Sequence, residues 1–338
     1  MRTIKLLVRV AVCLFIAFNF ASSANAEVDT VRIARQYGIG YLPLMVVEHD
    51  RLVEKYAAEA GLPSVKVEWV TLAGSSVLND ALLAGSIDFA TVGPPSLVKF
   101  WDKTTGTPQE IKGVTSVVSA PLYLNTRNPN IKSIRDFTDK DKIALPAVKV
   151  SIQAIILQMA AEQAFGKGNH TRLDSITTSR SHPDAMAALL SGTGEINSHF
   201  TWPPYSNIEQ KDPRVHVVLD SFQVLGGPAA AIVTIGTKRF HDANPKLFNA
   251  FFKAMNTAVK RINEDKQRSA EVYLAVSNEK TPVKDIVEIL SSPDIRFTTT
   301  PERMMKFADF MQRVGAVEKK PASWKEMFFP EAHGMPGS

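Results

Sequence analysis

A short phrase occurs twice in this sequence and constrains the fold more than any other feature. Ala-Leu-Leu, a small residue and Gly begin at Ala81 and again at Ala188, and each copy leads through an acidic residue and a short run to a proline pair. Each copy is typical of a helix that ends at glycine, a strand, and a second helix whose first turn accepts proline. Because both halves contain this unit, the sequence predicts two similar α/β lobes with a cleft that can hold a small molecule.

The first residues have the layout of a secretory signal. Arg2, Lys5 and Arg9 precede or flank an apolar run at 10–18, and Ala24-Asn25-Ala26 offers a small-x-small cleavage site. The apolar run is too short to span a bilayer. The interpretation is a cleavable signal peptide at residues 1–26 and a periplasmic protein; an uncleaved anchor is the alternative.

Composition narrows the classes of function. The net charge of the 338 residues is +5, and residues 1–26 contribute three positive charges and no negative ones, so the rest carries +2. This small excess argues against a nucleic-acid or membrane-surface partner. The one cysteine, Cys13, lies in the leader, so the mature chain is predicted to have no disulfide, thiolate nucleophile or cysteine-based metal site.

Strands and helices alternate along the first hundred residues of the mature chain. Apolar or alternating runs at 31–35, 65–69 and 87–91 predict strands, and a helix is predicted from Pro43 to Gly61. This order indicates a doubly wound parallel sheet. The predicted domains are lobe I at 27–120 and 230–338 and lobe II at 121–229, joined by strands that act as a hinge.

Catalytic and cofactor motifs are weak or missing in the sequence. Gly38-x-Gly40-x-x-Pro43 is similar to a dinucleotide fingerprint, but proline replaces the third glycine, so a loop that lines a pocket is favoured. No nucleophile elbow, Walker loop, zincin or EF-hand pattern occurs. The sequence therefore predicts a protein without a cofactor that is not an enzyme. His199 is interpreted as a structural histidine, with a pocket-facing donor as the alternative, and His182 as the start of a helix.

Small polar residues occupy predicted strand-to-helix turns. Gly74-Ser75-Ser76 and Ser151 could present free backbone N–H groups to an anionic or polar ligand, or could simply cap their helices. Tyr41 and Trp202 lie in corresponding loops and could clamp a ligand, although Trp202 could equally be a packed corner.

Several of these segments resemble one family. The run 81–89 is similar to a phrase "AL-x-x-G-x-I-D-F" that precedes a glycine, here Gly93, and 131–137 with 142–144 is similar to "I-x-S-x-x-D-L-x-G-K-x-I-A". Asn244-Pro245-Lys246 resembles the start of a family helix. The chain thus resembles, over nearly all of 28–330, the periplasmic solute-binding proteins of ABC importers in the nitrate, sulfonate and taurine group, which are related to thiamine-pyrimidine precursor proteins.

The resemblance implies a type II periplasmic-binding-protein fold, whose two lobes close over a ligand at a strand hinge. By position, the implied ligand-binding residues are Gly40, Tyr41, Ser75, Ser76, Gly93, Pro94, Ser119, Ser151, Trp202 and Gly227. Two departures stand out: Lys149-Val150-Ser151 keeps the family's serine without its glycine, and Asp139-Lys140-Asp141 replaces another glycine. Arg35 and Arg180 are candidate anion ligands, with a solvated surface charge slightly favoured for both.

The resemblance also implies the function. The chain is expected to be a monomer that captures a small polar or anionic organic solute, such as a sulfonate, nitrate or taurine, and delivers it to an ABC permease and its ATPase subunit. One alternative is a sensory subunit that presents the solute to a membrane receptor. Another is a pyrimidine-precursor binding protein or enzyme of the related family; the lack of cysteine in the mature chain disfavours the enzyme.

Overall fold

Two β-sheets organise the chain. The computed structural model describes residues 27–338, so the predicted signal peptide lies outside the described residues. Within these residues, no helix is both long and apolar enough to cross a membrane. The strands are β1 (Thr30–Arg35), β2 (Lys66–Thr71), β3 (Phe89–Val92), β4 (Ile111–Ser119), β5 (Tyr123–Thr126), β6 (Ile143–Leu145), β7 (Thr177–Ser179), β8 (Ser198–Thr201), β9 (His216–Asp220), β10 (Ala230–Thr237) and β11 (Arg296–Phe297). The helices are α1 (Leu42–His49), α2 (Leu52–Glu59), α3 (Ser75–Leu83), α4 (Pro94–Thr104), α5 (Ile152–Phe165), α6 (His182–Ser191), α7 (Tyr205–Gln210), α8 (Ser221–Leu225), α9 (Lys238–Ala243), α10 (Pro245–Glu264), α11 (Lys266–Ser277), α12 (Val283–Leu290) and α13 (Met304–Arg313).

The two sheets share one strand order. Taken from its β2 edge, the first sheet runs β2-β1-β3-β10-β4-β11, and the second runs β7-β6-β8-β5-β9. The strands β2, β1 and β3 of the first sheet therefore correspond to β7, β6 and β8 of the second. We call the layers built on these sheets the first and second lobes; the predicted boundaries at residues 120 and 229 stay a prediction. The α/β class with two such sheets is the predicted one.

Neither sheet is purely parallel. Strand β5 is antiparallel to β8 and β9, and β10 is antiparallel to β3 and β4. These two strands follow the passages of the chain from one sheet to the other. Two parallel neighbouring strands must be joined by a crossover that returns the chain to the end of the sheet where the first strand began. A chain that passes directly from one sheet to the other makes no such crossover.

The repeated phrase forms the predicted unit in both lobes. The first copy is α3, β3 and α4, and the second is α6, β8 and α7. Gly85 and Gly192 follow the first helix of each unit with φ of 68° and 73°, the left-handed conformation that glycine adopts at helix ends. The helix–strand–helix interpretation is therefore confirmed at both positions.

The single helix predicted from Pro43 to Gly61 is wrong. The chain forms α1 and α2 instead, separated by Asp50 and Arg51, and Arg51 has a left-handed φ of 51°. The Asp50 carboxylate accepts hydrogen bonds from Arg261 and Arg268 of the C-terminal helices. Asp50 and these two arginines are 211 and 218 positions apart in the sequence. The local sequence, which has no Gly or Pro at the break, therefore does not predict the interruption of the helix.

Helix α10 covers the first sheet with aromatic side chains. Phe89 of β3 stacks on Phe251 of α10 with ring centroids 4.1 Å apart, and its ring also lies edge-on to Phe240 of the preceding helix, α9, at 5.1 Å. Phe89 and Phe251 are fully buried. Burial of such rings stabilises a fold by several kcal/mol each, about 3–5 kcal/mol judged by truncation to alanine. This packing fixes the first sheet, whose strand ends form one side of the cleft.

Asp141, one of the residues that depart from the family phrase, fixes the loop before β6. Its buried carboxylate accepts hydrogen bonds from the Thr138 backbone N–H (2.8 Å), Asn128 Nδ2 (3.0 Å) and Asn197 Nδ2 (2.7 Å). Burial raises its pKa, but these donors outweigh burial, so the pKa lies below its usual range.

We expect Asp141→Ala to lower the free energy of unfolding by about 2–3 kcal/mol at neutral pH, because several donors lose a charged acceptor. The folded pKa lies below the unfolded value of about 3.9, so the carboxylate stabilises the fold above that pH and loses its effect as pH falls through the folded pKa. Urea denaturation at pH 7 and pH 3 measures this. An equal difference between wild type and variant at both values would contradict the assignment.

Candidate functional site

A cleft lies where the strands of the two sheets end. Gln36, Gly93, Pro146 and Trp202 line it, and each directly follows a strand: β1, β3, β6 and β8. Carboxyl ends of parallel strands are where ligands bind in open α/β sheets. The full lining is Gln36, Tyr41, Ser75, Gly93, Leu122, Pro146, Ile152, Gln153, His182, Trp202, Ala231 and Ile232.

Four helices begin at this cleft. Ser75 is the first residue of α3, Gly93 is the N-cap of α4, Gln153 is in the first turn of α5, and His182 is the first residue of α6. Free backbone N–H groups and the positive end of the helix dipole lie at helix N-termini and favour negative charge. Pro94, Pro95 and Pro183 in the first turns of α4 and α6 have no N–H, so the free donors at the cleft are mainly those of α3 in the first lobe and α5 in the second. The cleft therefore offers an electropositive environment from both lobes.

The side chains that line the cleft are neutral. None of the lining residues is Asp, Glu, Lys or Arg, and the polar ones are Gln36, Tyr41, Ser75, Gln153 and His182. Burial raises the pKa of Tyr41, which keeps its phenol protonated. A solute in this cleft would meet hydrogen-bond donors and partial charges rather than a salt bridge.

Trp202 fills much of the space between the lobes. Its ring lies edge-on to Tyr41, with centroids 5.4 Å apart and planes at 81°. A side-chain carbon on Gly40 would overlap the Trp202 ring. Trp202 is 3% exposed and its Nε1 has no hydrogen-bond partner among the described residues. A buried donor without a partner is unusual and is consistent with a ligand-facing group.

A buried polar chain extends from the cleft into the second lobe. His182 Nδ1 and His199 Nε2 are 2.9 Å apart, and His199 Nδ1 and Glu209 Oε1 are 2.5 Å apart. Asn125 Nδ2 donates to Glu209 Oε2 at 2.8 Å. His199, Glu209 and Asn125 are fully buried. Burial, together with the nearby His199, lowers the pKa of His182 well below its usual value, so His182 is neutral.

The two lobes touch around the cleft. Ile39 N–H donates to Pro203 O at 3.3 Å, Tyr205 Oη donates to Glu279 Oε1 at 2.7 Å, and Lys211 pairs with Asp285 at 2.6 Å. A side-chain carbon on Gly74 would lie 2.7 Å from the Pro146 carbonyl oxygen of the other lobe. The cavity that remains is about 20 Å³, room for about one water molecule. The structure therefore has the closed arrangement, and an organic solute needs the lobes to separate before it can enter.

The structure brings some of the predicted site residues together. Tyr41, Ser75, Gly93 and Trp202 line the cleft, and Gly40 abuts the Trp202 ring. Pro94 follows Gly93 at the start of α4, and Ser151 lies just before the lining pair 152–153, where its Oγ accepts the Ala154 N–H at 3.3 Å as an N-cap.

Other predicted residues lie away from the lining. Ser76 is exposed on α3, Ser119 is buried in β4, and Gly227 lies beside the guanidinium of Arg303. The prediction that Arg35 is a solvated surface charge is wrong, because Arg35 is buried and pairs with Glu48 at 2.6 Å. Arg180 is exposed, on a different concave surface of the second lobe.

The sequence interpretation missed three polar residues of the cleft, Gln36, Gln153 and His182. Gln36 directly follows β1 and Gln153 follows the Ser151 cap, so the rule of strand and helix ends could have found both. His182 does begin a helix, as predicted, and the same position places it in the cleft beside His199.

Residues 52–288 match the family described as the substrate-binding domain of ABC-type glycine betaine transport systems. The chain belongs to this family. It is thus a substrate-binding protein of the ABC-transport type. No curated protein is significantly similar to the chain in sequence.

Solved structures share the fold at low sequence identity. The alkanesulfonate-binding protein SsuA of Xanthomonas axonopodis pv. citri, bound to MOPS, is 18% identical with a TM-score of 0.67, over 93% of this chain and 100% of that one. The aliphatic sulphonate-binding protein SsuA of Escherichia coli is 19% identical with a TM-score of 0.63, over 89% and 98%. The nitrate-binding protein NrtA of Synechocystis PCC 6803 is 17% identical with a TM-score of 0.67, over 89% and 84%. The periplasmic-binding-protein fold of the resemblance is thereby confirmed.

Proposed function

We propose that the chain is the periplasmic solute-binding subunit of an ABC importer and that it captures a small polar or anionic solute, such as a sulfonate, taurine or nitrate, between its lobes. One observation carries this proposal: helices α3 and α5, one from each lobe, begin without proline at a cleft whose lining has no charged side chain. The proposal is supported by the fold shared with sulfonate- and nitrate-binding proteins.

The electrostatics favour an anion of low charge. Helix N-termini stabilise negative charge through backbone N–H groups, and the donors Ser75 and Trp202 add neutral hydrogen bonds. Among the residues that line the cleft, none is a carboxylate that would repel the anion and none is an arginine that could pair with it bidentately. A monoanionic head group of three or two oxygens matches this donor set.

Closure provides the mechanism. The solute touches groups of both lobes only when they approach, so it binds the closed form more tightly and shifts the open–closed equilibrium towards it. The closed form is the one that would be delivered to the permease, because only there do the two lobes present a fixed joint surface.

A ligand panel tests the solute class. The purified protein is heated with methanesulfonate, taurine, nitrate, glycine betaine and a pyrimidine. A solute at about a hundred times its Kd adds about 2.7 kcal/mol of stability, a shift of a few degrees in Tm. A response to methanesulfonate, taurine or nitrate supports the proposal. A response confined to glycine betaine or the pyrimidine overturns it. Loss of uptake of the responding solute in a deletion strain tests import, whereas unchanged uptake would indicate a sensory role.

Two alanine variants test the site. Trp202→Ala is expected to weaken binding of the responding solute by about thirtyfold or more, as for a buried aromatic contact, and Ser75→Ala by about tenfold, as for a hydrogen bond to a charged group. Calorimetric titration measures both. Ser76→Ala is the matched control, because its neighbouring hydroxyl is exposed outside the cleft and should leave the affinity unchanged. Unchanged affinity in both test variants would overturn the site assignment.

A further inference from the structure

The buried chain from Glu209 to His182 ends at the cleft, so its protons affect the solute. His199 lies between Glu209 Oε1 at 2.5 Å and His182 Nδ1 at 2.9 Å, and the other nitrogen of His182, Nε2, lies 3.3 Å from the side-chain amide nitrogen of Gln153 in the cleft lining. Each link needs one donor and one acceptor. The direction of the hydrogen bonds therefore decides whether His182 presents a donor or an acceptor to the cleft.

Glu209 Oε2 accepts from Asn125 Nδ2, and the Asn125 oxygen in turn accepts from Gln210 Nε2, so a proton on Glu209 lies on Oε1. With this constraint, one arrangement makes His182 Nε2 an acceptor. If both histidines are neutral and Glu209 is ionised, His199 Nδ1–H donates to Glu209, His182 Nδ1–H donates to His199, and Nε2 of His182 has no proton. This arrangement leaves a net charge of −1 on fully buried groups, with no cationic side chain among the partners of Glu209.

The two arrangements with no net charge both give the opposite result. If the added proton is on His199, its Nε2–H donates to His182 Nδ1. If the proton is on Glu209, the carboxyl donates to His199 Nδ1, and His199 Nε2–H again donates to His182 Nδ1. In either case the proton of neutral His182 must be on Nε2. The tautomer of His182 is therefore the same whether the proton lies on Glu209 or on His199.

Burial selects the arrangements without net charge. An uncompensated charge away from water is costly, whereas a paired or protonated carboxyl is not. His199 Nδ1 and Glu209 Oε1 are within hydrogen-bond distance, so a proton lies between them in each of these arrangements. Thr201 Oγ1, 3.1 Å from His182 Nδ1, can donate or accept and so does not set the direction.

We propose that Glu209 and His199 are positioning residues that hold His182 as a neutral imidazole with its proton on Nε2, where it donates to an acidic oxygen of the solute. This rests on the proposed function, in which the solute is an anion. The Gln153 amide then turns its oxygen towards His182 when no solute is bound, because the oxygen and nitrogen of an amide can exchange places by a flip.

Nuclear magnetic resonance of the full protein labelled with ¹⁵N-histidine tests the proton directly and needs no ligand. The His182 signals are identified by their loss in His182→Asn. We expect a neutral ring protonated on Nε2, both in wild type and in Glu209→Gln, whose amide can donate to His199 and accept from Asn125. A wild-type ring protonated on Nδ1 overturns the inference.

Binding of methanesulfonate tests the consequence for the solute. Glu209→Met removes the end of the chain, so we expect a mixture of His182 tautomers and an affinity lowered in proportion to the fraction protonated on Nε2, about twofold for an even mixture, whereas Glu209→Gln keeps the wild-type affinity. A Met variant with wild-type tautomer and affinity overturns the positioning role. Failure of every sulfonate and nitrate to bind, with the proton found on Nε2, refutes the proposed solute class and supports the proton arrangement.

Discussion

Gly74→Ala is expected to weaken solute binding about 5- to 150-fold without unfolding the protein. Gly74 has a φ of −177°, an extended conformation that alanine also adopts, so the substitution does not strain its own backbone. The added carbon would lie 2.7 Å from the Pro146 carbonyl oxygen across the cleft, and a backbone atom cannot rotate away. The lobes must stay farther apart, at an overpacking cost of about 1–3 kcal/mol to the closed form.

Two measurements separate closure from folding. Calorimetry gives the affinity, and small-angle X-ray scattering with saturating solute shows whether the lobes still close. Gly194→Ala is the matched control, because no atom lies within 4 Å of the added carbon and Gly194 is not left-handed. Wild-type affinity and closure in Gly74→Ala would show that the solute-bound lobes do not approach as they do in this structure.

His199→Leu is expected to lower the free energy of unfolding by about 3–5 kcal/mol, the largest stability loss predicted for a polar residue of this protein. The substitution leaves the fully buried Glu209 without His199, and within residues 27–338 only Asn125 remains to donate to its carboxyl group. Breaking a buried pair by removing one partner costs this much, because the charge left behind must be protonated or desolvated. Chemical denaturation monitored by circular dichroism measures the loss.

The double variant His199→Leu/Glu209→Met distinguishes an unpaired charge from poor packing. Apolar groups of similar volume can replace a buried ion pair at little cost, so the double variant should regain most of the stability lost in His199→Leu. It should nevertheless bind anions more weakly than wild type, because His182 has lost its positioning residues. A double variant less stable than His199→Leu would contradict a buried charge at Glu209.

Local sequence was enough to predict most of the elements. The phrase at Ala81 and Ala188 predicted two helix–strand–helix units, because a glycine after a helix and a proline at the start of the next one act within a few residues. The same is true of the serines at helix starts, and it explains why Ser75 and Ser151 were found at or beside the cleft. The division into lobes and the solute remain predictions.

Contacts between distant residues could not be predicted in this way. The break at Asp50 depends on arginines of the C-terminal helices, and Arg35 is buried because Glu48 pairs with it, which its position in the sequence does not reveal. His182 and His199 are 17 residues apart and show no ligand spacing, yet the register of α6 and β8 brings their rings together.

The sequence by itself determined the α/β class, the repeated unit and the polar helix starts, since these follow from interactions within single turns and strands. The tertiary structure alone decided which of those starts face one another across the cleft and which buried carboxyl lies behind them. Those features depend on how the two lobes pack against each other. That packing is stabilised by contacts between side chains that are far apart in the sequence.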